Sequence, residues 1–344
     1  MNTAGPLPSG AARIIGSRFL DLDGEIRRLG DENGAGPVAI VLLDRYCPIS
    51  TRYAPEFNQF SEEAKRLGVD FYGVISDPAA SWDDIRAFRD EYALDFPILF
   101  DPSGDLASRL QPVVTPEAFV IDGDDRMIYR GRIDNRFAAP GSMRRKITSH
   151  DLKDFTRAAA NRETVEPLST DSVGCFFSAW KDDEAVTATY HRDIAPVLAA
   201  NCVECHQTNG IAPFPLETYE QSNRWADMLA YVTAERLMPP WRPNPDHGRF
   251  RDERYLSERQ VALFAAWAEN DAPEGAVAER PAEVVLPDKD WRMGTPDLVL
   301  TMTEPFNVPA TGDDVYRYFV IPSTMTEDKT VVGVDFKPGD PAVV

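Results

Sequence analysis

The sequence lacks long apolar runs, an excess of basic residues and the cysteine density of a disulfide-stapled protein. Its best apolar run, Val38–Leu43, is far shorter than the roughly 18 residues that a membrane-spanning helix requires, so we expect no transmembrane segment. The 36 basic residues against 56 acidic ones give a net charge of −20. This balance excludes nucleic acid and anionic membranes as expected partners, because both require a basic patch.

The sequence also lacks the basic and apolar regions of a secretory signal in its opening residues, MNTAGPLPSG. Its four cysteines are too few for a disulfide scaffold, so each has to be interpreted by its own surroundings. The rest of the composition is that of a globular protein, 43% hydrophobic and 27% charged over 344 residues. That length fits two or three domains and excludes disordered, collagen-like and coiled-coil classes.

Three regions of different character follow one another. Residues 13–165 alternate apolar runs typical of strands with amphipathic runs typical of helices, and they end in a hairpin pattern and a helix at Asp151–Ala160. This order predicts an α/β domain with a mixed sheet. Residues 166–186, which contain Cys175, are polar and irregular, and fit either a linker or an extension wrapped on the first domain. Residues 187–275 carry mainly helical patterns.

A Cys-x-x-Cys-His motif lies in the helical region, as Cys202, Cys205 and His206. Two thiols three residues apart can each bond a vinyl group of one haem while the adjacent imidazole binds its iron. Half a zinc site and a local disulfide are the alternatives, but zinc needs a second pair of soft ligands and Cys175 stands alone. The motif therefore predicts one covalently bound haem c.

Met238, in RLMPPW, is the candidate for the second axial ligand of that haem iron. The two prolines after it favour an extended loop that can hold a thioether against the iron. Filling a gap in the core is the alternative role, as for most methionines. Met228, His191 and His247 are competing ligands, although the setting of both histidines is more typical of surface residues. Ligation by histidine and methionine favours electron transfer over oxygen chemistry.

Residues 187–275 resemble class I-like bacterial cytochrome c domains through YHRDIAPVLAANCVECH, RLMPPW and LSERQVALFAAWAENDAPEG. The resemblance implies that Cys202 and Cys205 hold the haem, that His206 is its proximal ligand and that Met238 is the distal one. Haem is attached to such motifs outside the cytoplasm, so we expect a periplasmic or otherwise extracytoplasmic protein. A trimmed or incomplete N-terminus would then account for the missing signal.

Cys47, in DRYCPIS, follows the strand pattern of Val38–Leu43 and opens a helix. A helix N-terminus lowers the pKa of a thiol through its free N–H groups and dipole, so a reactive cysteine fits this place. Pro116, in VVTPEAFVID, comes directly before a strand and is a candidate cis-proline across from the thiol. The element order and TPEAFVIDGDDRMIYRGRID resemble the thioredoxin-like fold, in its redoxin (AhpC/TSA-type) branch, over residues 13–160.

Four residues depart from the redox motifs known on this fold. Ser50 stands where a thioredoxin has its second cysteine, and Thr51 where a copper chaperone has one. Ile40 and Asp44 replace the proline and threonine of the peroxiredoxin pattern. No local partner for the thiol and no complete peroxide-activating motif are therefore present.

Cys175, in SVGCFF, is the remaining partner for Cys47. It could fold back as a resolving thiol and close a reversible disulfide. In the alternative, Cys47 is inactive on a structural scaffold and Cys175 is an unrelated buried residue, because a fold alone does not confer an activity.

Residues 290–344 return to strand patterns, at 298–302, 315–321 and 330–336. This partial β segment resembles the start of a copper type II, peptidylglycine-monooxygenase-like domain. No histidine follows His247, so we expect no copper within this chain. The sequence stops in the apolar PAVV, which indicates a domain cut short, whereas a short β extension packed on the helical region is the alternative.

The sequence thus predicts a multidomain redox protein with an α/β thioredoxin-like domain, a mainly α cytochrome c domain and a partial β segment. The first hypothesis is an extracytoplasmic oxidoreductase in which haem electron transfer is fused to a redoxin domain acting on thiols or peroxides. Redox partner proteins or small thiol or peroxide substrates would then be its partners. The alternative is a non-enzymatic electron conduit and docking module that serves a downstream copper monooxygenase domain.

Overall fold

The computed structural model describes residues 13–30, 36–139, 141–177, 187–208, 210–241, 243, 253–283, 291, 295–307, 316–323, 325–337 and 339. The strands in this part of the chain are β1 (Arg18–Leu20), β2 (Ile26–Arg28), β3 (Val38–Leu43), β4 (Asp70–Ile75), β5 (Ile98–Phe100), β6 (Val114–Thr115), β7 (Glu117–Ile121), β8 (Met127–Gly131), β9 (Phe137–Ala139), β10 (Ser142–Met143), β11 (Leu168–Ser169) and β12 (Cys175–Phe176). The helices are α1 (Pro48–Arg52), α2 (Ala54–Arg66), α3 (Trp82–Glu91), α4 (Asp105–Leu110), α5 (Asp151–Ala160), α6 (Ala195–Asn201), α7 (Tyr219–Asn223), α8 (Ala226–Ala234) and α9 (Glu258–Glu269).

A six-stranded sheet organises the first region, in the order β11-β8-β7-β3-β4-β5. Strand β3 is parallel to β4 and antiparallel to β7, so the sheet is mixed and the predicted α/β class is confirmed. All six residues of β3 are buried, and successive side chains enter the cores on opposite faces of the sheet. Burial on both faces is why β3 appears in the sequence as a continuous apolar run.

The segment after α5 belongs to the first region and is not a free linker as far as residue 177. Strand β11 extends the edge of the sheet parallel to β8, and β12 pairs antiparallel with β6. The extension interpretation of residues 166–186 therefore holds for 166–177, whereas residues 178–186 lie outside the described part of the chain.

The helical region has a core of its own. A turn of π-helix at Tyr190–Ile194 leads into α6, and buried side chains of α6, α8 and α9 pack around Phe264 and Trp267. The N-termini of α7 and α9 are closed by capping boxes, at Thr218 with Gln221 and at Ser257 with Gln260. Across the residues that the structure covers, no helix is both long and apolar enough to cross a membrane.

The prediction of strands in the third region is wrong for the residues that the structure describes there. Within 295–307, 316–323 and 325–337, none lies in a strand or a helix. Side chains that the pattern had placed in a β core are exposed instead, Tyr318 and Val332 among them. The reason is that a strand needs a neighbour to pair its backbone N–H and C=O groups, and these segments pair with none of the described strands. The expected partial β domain is thus not formed by these residues.

Candidate functional site

Cys47 lies at the junction of β3 and α1. It is the N-cap residue of α1 and its carbonyl accepts a hydrogen bond from the Thr51 N–H at 3.1 Å. Its side chain is only 1% exposed, and its thiol donates to the carbonyl oxygen of Thr115 at 3.0 Å. The antiparallel register of β3 with β7, which pairs Leu42 with Glu117, brings the Thr115–Pro116 peptide beside the end of β3. That peptide bond is cis.

Cys175 approaches Cys47 from the extension. Strand β12 pairs with β6 in a register that places Cys175 opposite Thr115, the residue that accepts the Cys47 thiol bond. The two sulfur atoms lie 2.7 Å apart, with the Cys175 thiol donating to the Cys47 sulfur. Both thiols are free in this structure. The fold thus joins the two cysteines that the sequence left without local partners.

The two thiols differ in acidity. Burial alone would raise the pKa of Cys47, but hydrogen bonds from the Cys175 thiol and from the N–H groups of Ser50, Cys175 and Ile49 outweigh it and lower the pKa below its ordinary value. Burial, the bond to Cys47 and the nearby negative charges of Cys47 and Asp44 raise the pKa of Cys175 to about 12. Of the two thiols, Cys47 therefore loses its proton at the lower pH, which makes it the better nucleophile and the better leaving group.

A buried ion pair supports the loop before Pro116. Arg130 and Glu117 meet at 2.8 Å with side chains 2% and 3% exposed. Glu117 also accepts the N–H of Val113 at 2.7 Å, and Arg130 donates to the carbonyl of Gln111 at 2.9 Å. These bonds hold the backbone that carries Thr115. Sequence reasoning missed this pair, although an acid and a base inside two otherwise apolar strand patterns were a usable signal.

The Cys-x-x-Cys-His motif forms a single turn directly after α6. The N–H groups of Cys205 and His206 both donate to the carbonyl of Cys202, at 3.1 and 2.9 Å. His206 Nδ1 lies 2.9 Å from the carbonyl oxygen of Phe214. A carbonyl only accepts, so Nδ1 carries the hydrogen and the lone pair is on Nε2. This is the tautomer and fixed ring orientation that an iron ligand needs, so the residues present fit a covalent haem.

The candidates for the second axial ligand lie in different surroundings. Met238 follows α8, is exposed, and is therefore not a core filler. Met228 on α8 is exposed as well. The expectation that His191 is a surface residue is wrong, because the π-helical turn buries it and brings its Nε2 to 3.2 Å from Glu274 Oε1. His247 lies outside the described residues. Over the described chain, no three His, Cys, Asp or Glu side chains cluster in a way that would hold a metal ion.

Glu204, inside the motif, attaches this turn to the first region. Its carboxylate forms ion pairs with Arg18 of β1 at 3.2 Å and with Arg254 at 2.8 Å. Burial would raise the pKa of Glu204, but the charge of Arg254 and the bond and charge of Arg18 outweigh it and lower the pKa. The motif is thus ionically tied to the domain that carries Cys47 and Cys175.

The mixed sheet, the thiol at the start of α1 and the cis-proline loop define a thioredoxin-like redoxin domain. Residues 12–130 match the AhpC/TSA family. A comparison with curated protein sequences found no match.

The solved structures similar to this chain include the following three. One is a hypothetical protein from Sinorhizobium meliloti (21% identity, covering 52% of this chain and 99% of that one, TM-score 0.45). Another is a secreted disulfide oxidoreductase from Mycobacterium tuberculosis homologous to E. coli DsbE (17%, 43% and 96%, TM-score 0.30). The third is the peroxidoxin BcpB from Mycobacterium tuberculosis (18%, 47% and 99%, TM-score 0.32).

Proposed function

We propose that the first domain carries out thiol–disulfide exchange with Cys47 and Cys175 as its redox pair. The observation that carries this proposal is the 2.7 Å separation of the two sulfurs beside the Thr115–Pro116 loop. A disulfide bond of about 2.05 Å needs only a small further approach of the two sulfurs. The opposite pKa shifts of the two thiols support the same assignment, since exchange proceeds through a thiolate.

The exchange moves two electrons and two protons. In the oxidised protein the Cys47–Cys175 disulfide accepts two electrons from a dithiol partner, whose own sulfurs become joined. The S–S bond of the pair breaks, and the protons of the partner's thiols pass to the pair or to solvent. Peroxide reduction is the less supported chemistry, because Ile40 and Asp44 stand where peroxiredoxins have the proline and threonine that activate peroxide.

Two single variants test this proposal. We expect Cys47→Ser and Cys175→Ser each to abolish catalysed disulfide exchange with a small dithiol such as dithiothreitol, measured against the uncatalysed rate. Oxidised wild type should yield one Cys47–Cys175 disulfide on peptide mapping. If both variants catalyse exchange at the wild-type rate, the redox pair is refuted. If the wild type consumes peroxide in the presence of a thiol and both variants lose this activity, the assignment moves to peroxide chemistry.

We further propose that the helical region binds one haem c, with Cys202 and Cys205 as attachment sites and His206 and Met238 as axial ligands. The orientation of His206, with Nδ1 bonded to Phe214, supports it. When bound, such a group would supply one-electron transfer. Extracytoplasmic localisation follows as part of this proposal, because that is where haem is attached to such motifs.

Spectroscopy of the protein matured with a haem-attachment system tests this second proposal. We expect a low-spin c-type spectrum and a mass increase of one haem that survives denaturation. Met238→Ala should change the axial ligation, whereas Met228→Ala, at another exposed methionine, should not. A spectrum that changes only in Met228→Ala would reassign the ligand, and no covalent haem in the wild type would refute the site.

A further inference from the structure

The extension covers the Cys47 side of the redox pair. Besides the β6–β12 pairing, the N–H of Phe177 donates to the carbonyl of Val113 at 3.0 Å, so the antiparallel ladder continues beyond β12. Under this cover Cys47 is 1% exposed, whereas Cys175 is only half-buried. The next side chain, Phe176, points away from the pair and is 77% exposed.

The contact between the extension and the Thr115 loop is closely fitted. A Cβ placed on Gly174 would lie 2.3 Å from the carbonyl oxygen of Thr115, a distance that no side chain tolerates. Only glycine therefore lets the backbone before Cys175 come this near to the loop. The approach brings the Cys175 sulfur to 2.7 Å from the sulfur of Cys47, whose side chain is 1% exposed.

We propose that residues 172–177 form a built-in cover of Cys47, so that an external thiol exchanges with the pair at Cys175 and not at Cys47. The inference rests on the proposed thiol–disulfide exchange and adds its direction. Attack on a disulfide is governed by access to the sulfur and by the acidity of the thiol that leaves. The half-buried Cys175 sulfur is the easier one for an external thiol to reach. Cys47 is the better leaving group, because its thiolate is the more stable of the two.

The reaction is balanced with a dithiol partner as the only co-reactant. The partner's thiolate attacks Cys175 Sγ, a partner–Cys175 bond forms, the Cys175–Cys47 bond breaks, and Cys47 leaves as thiolate. The partner's second thiolate then attacks its own first sulfur, which forms the partner's disulfide and releases Cys175 as a thiolate that takes up a proton. The partner loses two electrons and the pair gains them.

Peptide mapping of the trapped adduct tests the direction of attack. The oxidised full-length protein is treated with glutathione, quenched with excess iodoacetamide in denaturant, and digested, so that each cysteine is identified by its own peptide. We expect glutathione on the Cys175 peptide at least tenfold above the Cys47 peptide, with Cys47 alkylated. Glutathione mainly on Cys47, or on neither cysteine of an intact disulfide, would overturn the cover while leaving the redox pair standing. If the oxidised protein contains no Cys47–Cys175 disulfide, the proposed function itself fails, and the cover fails with it.

A variant that displaces the extension tests access to Cys47. Displacement also removes the bonds from Cys175 that lower the pKa of Cys47, which by itself would slow alkylation, so a faster rate reports access. Gly174→Val introduces the side chain that Thr115 cannot accommodate, and we expect the alkylation rate of Cys47 in the reduced protein to rise at least tenfold. Phe176→Ala is the matched control on the same strand, because its exposed side chain takes no part in the ladder, and should leave that rate unchanged. A Cys47 that reacts equally fast in wild type and Gly174→Val would also overturn the proposal.

Discussion

Asp101 is a buried carboxyl group next to the N-terminus of α4. It accepts the N–H of Ala107 at 2.9 Å. Burial, and after it the charge of Asp105, raises the pKa of Asp101 to about 7. Because this pKa exceeds the ordinary 3.8, the folded state binds the proton more tightly than the unfolded chain. The resulting stabilisation is full below about pH 4 and is lost as the pH rises through 7.

Asp101→Asn should therefore reduce the loss of stability that the wild type shows between pH 4 and 7. The substitution should reduce the slope of the free energy of unfolding against pH by at most about 1.4 kcal/mol per pH unit. Chemical unfolding at a series of pH values measures it, with Asp95→Asn, at an exposed carboxyl, as the matched control. Equal slopes in wild type and Asp101→Asn would show that this carboxyl is already ionised in the folded protein.

Cys175 also acts on the acidity of its partner. Its thiol is the strongest of the hydrogen bonds that lower the pKa of Cys47 against the opposing effect of burial. We expect Cys175→Ala to raise the pKa of Cys47 and Cys175→Ser, which keeps a donor, to raise it less. The pH dependence of iodoacetamide alkylation, followed on the Cys47 peptide of the reduced protein, gives both values. A pKa that falls in Cys175→Ala would contradict this role.

Helix α9 starts at a capping box that also contacts the first domain. Ser257 accepts the N–H of Gln260 at 3.0 Å and donates to the carboxylate of Asp105. An N-cap serine replaced by alanine costs about 1 kcal/mol of stability. The lost bond to a carboxylate adds to that figure.

Ser257→Ala should thus destabilise the protein by about 1–2 kcal/mol, more than Thr218→Ala, which removes the corresponding cap of the short helix α7. Urea unfolding compares the two variants with the wild type. If Thr218→Ala proved the costlier change, the Ser257–Asp105 bond would have no role in joining the two regions.

The elements differ in how far the sequence predicted them. Strand β3 and helix α5 have the bounds that their apolar and amphipathic patterns predict. The helical segment after Cys47 is divided at Tyr53 into α1 and α2, and Pro55, which lacks an N–H donor, occupies the first turn of α2. Strands of two or three residues, such as β6 and β12, are too short for any period to show and form only because a distant segment pairs with them.

At the scale of the whole molecule, the Arg18–Glu204 ion pair links the Cys-x-x-Cys-His motif to the redoxin domain. The pKa of Glu204 is lowered, so its contribution is present above the ordinary value of 4.5 and is lost as the pH falls through the lowered value. Both side chains keep some exposure, which limits the pair to the range of partly solvated ion pairs.

A double-mutant cycle of Arg18→Ala and Glu204→Gln should give a coupling energy of about 1 kcal/mol or less at neutral pH. That energy should shrink with added salt and at acidic pH, because salt screens the pair and acid neutralises the carboxylate. Unfolding of the four proteins at two salt concentrations supplies the measurement. A coupling energy unchanged by salt and acid would show that the contact is not ionic.

The sequence by itself determined the order of the longer strands and the helices in the first domain, the place of Cys47 at a helix start and the Cys-x-x-Cys-His spacing. All of these depend on residues that are neighbours along the chain. Only the tertiary structure decided that Cys175, 128 residues from Cys47 in the sequence, lies beside the Cys47 sulfur and covers it. It also decided that His191 is buried and that the described residues of the third region form no strands. The physical reason is that pairing and burial depend on which distant segment supplies the partner, and no local pattern encodes that partner.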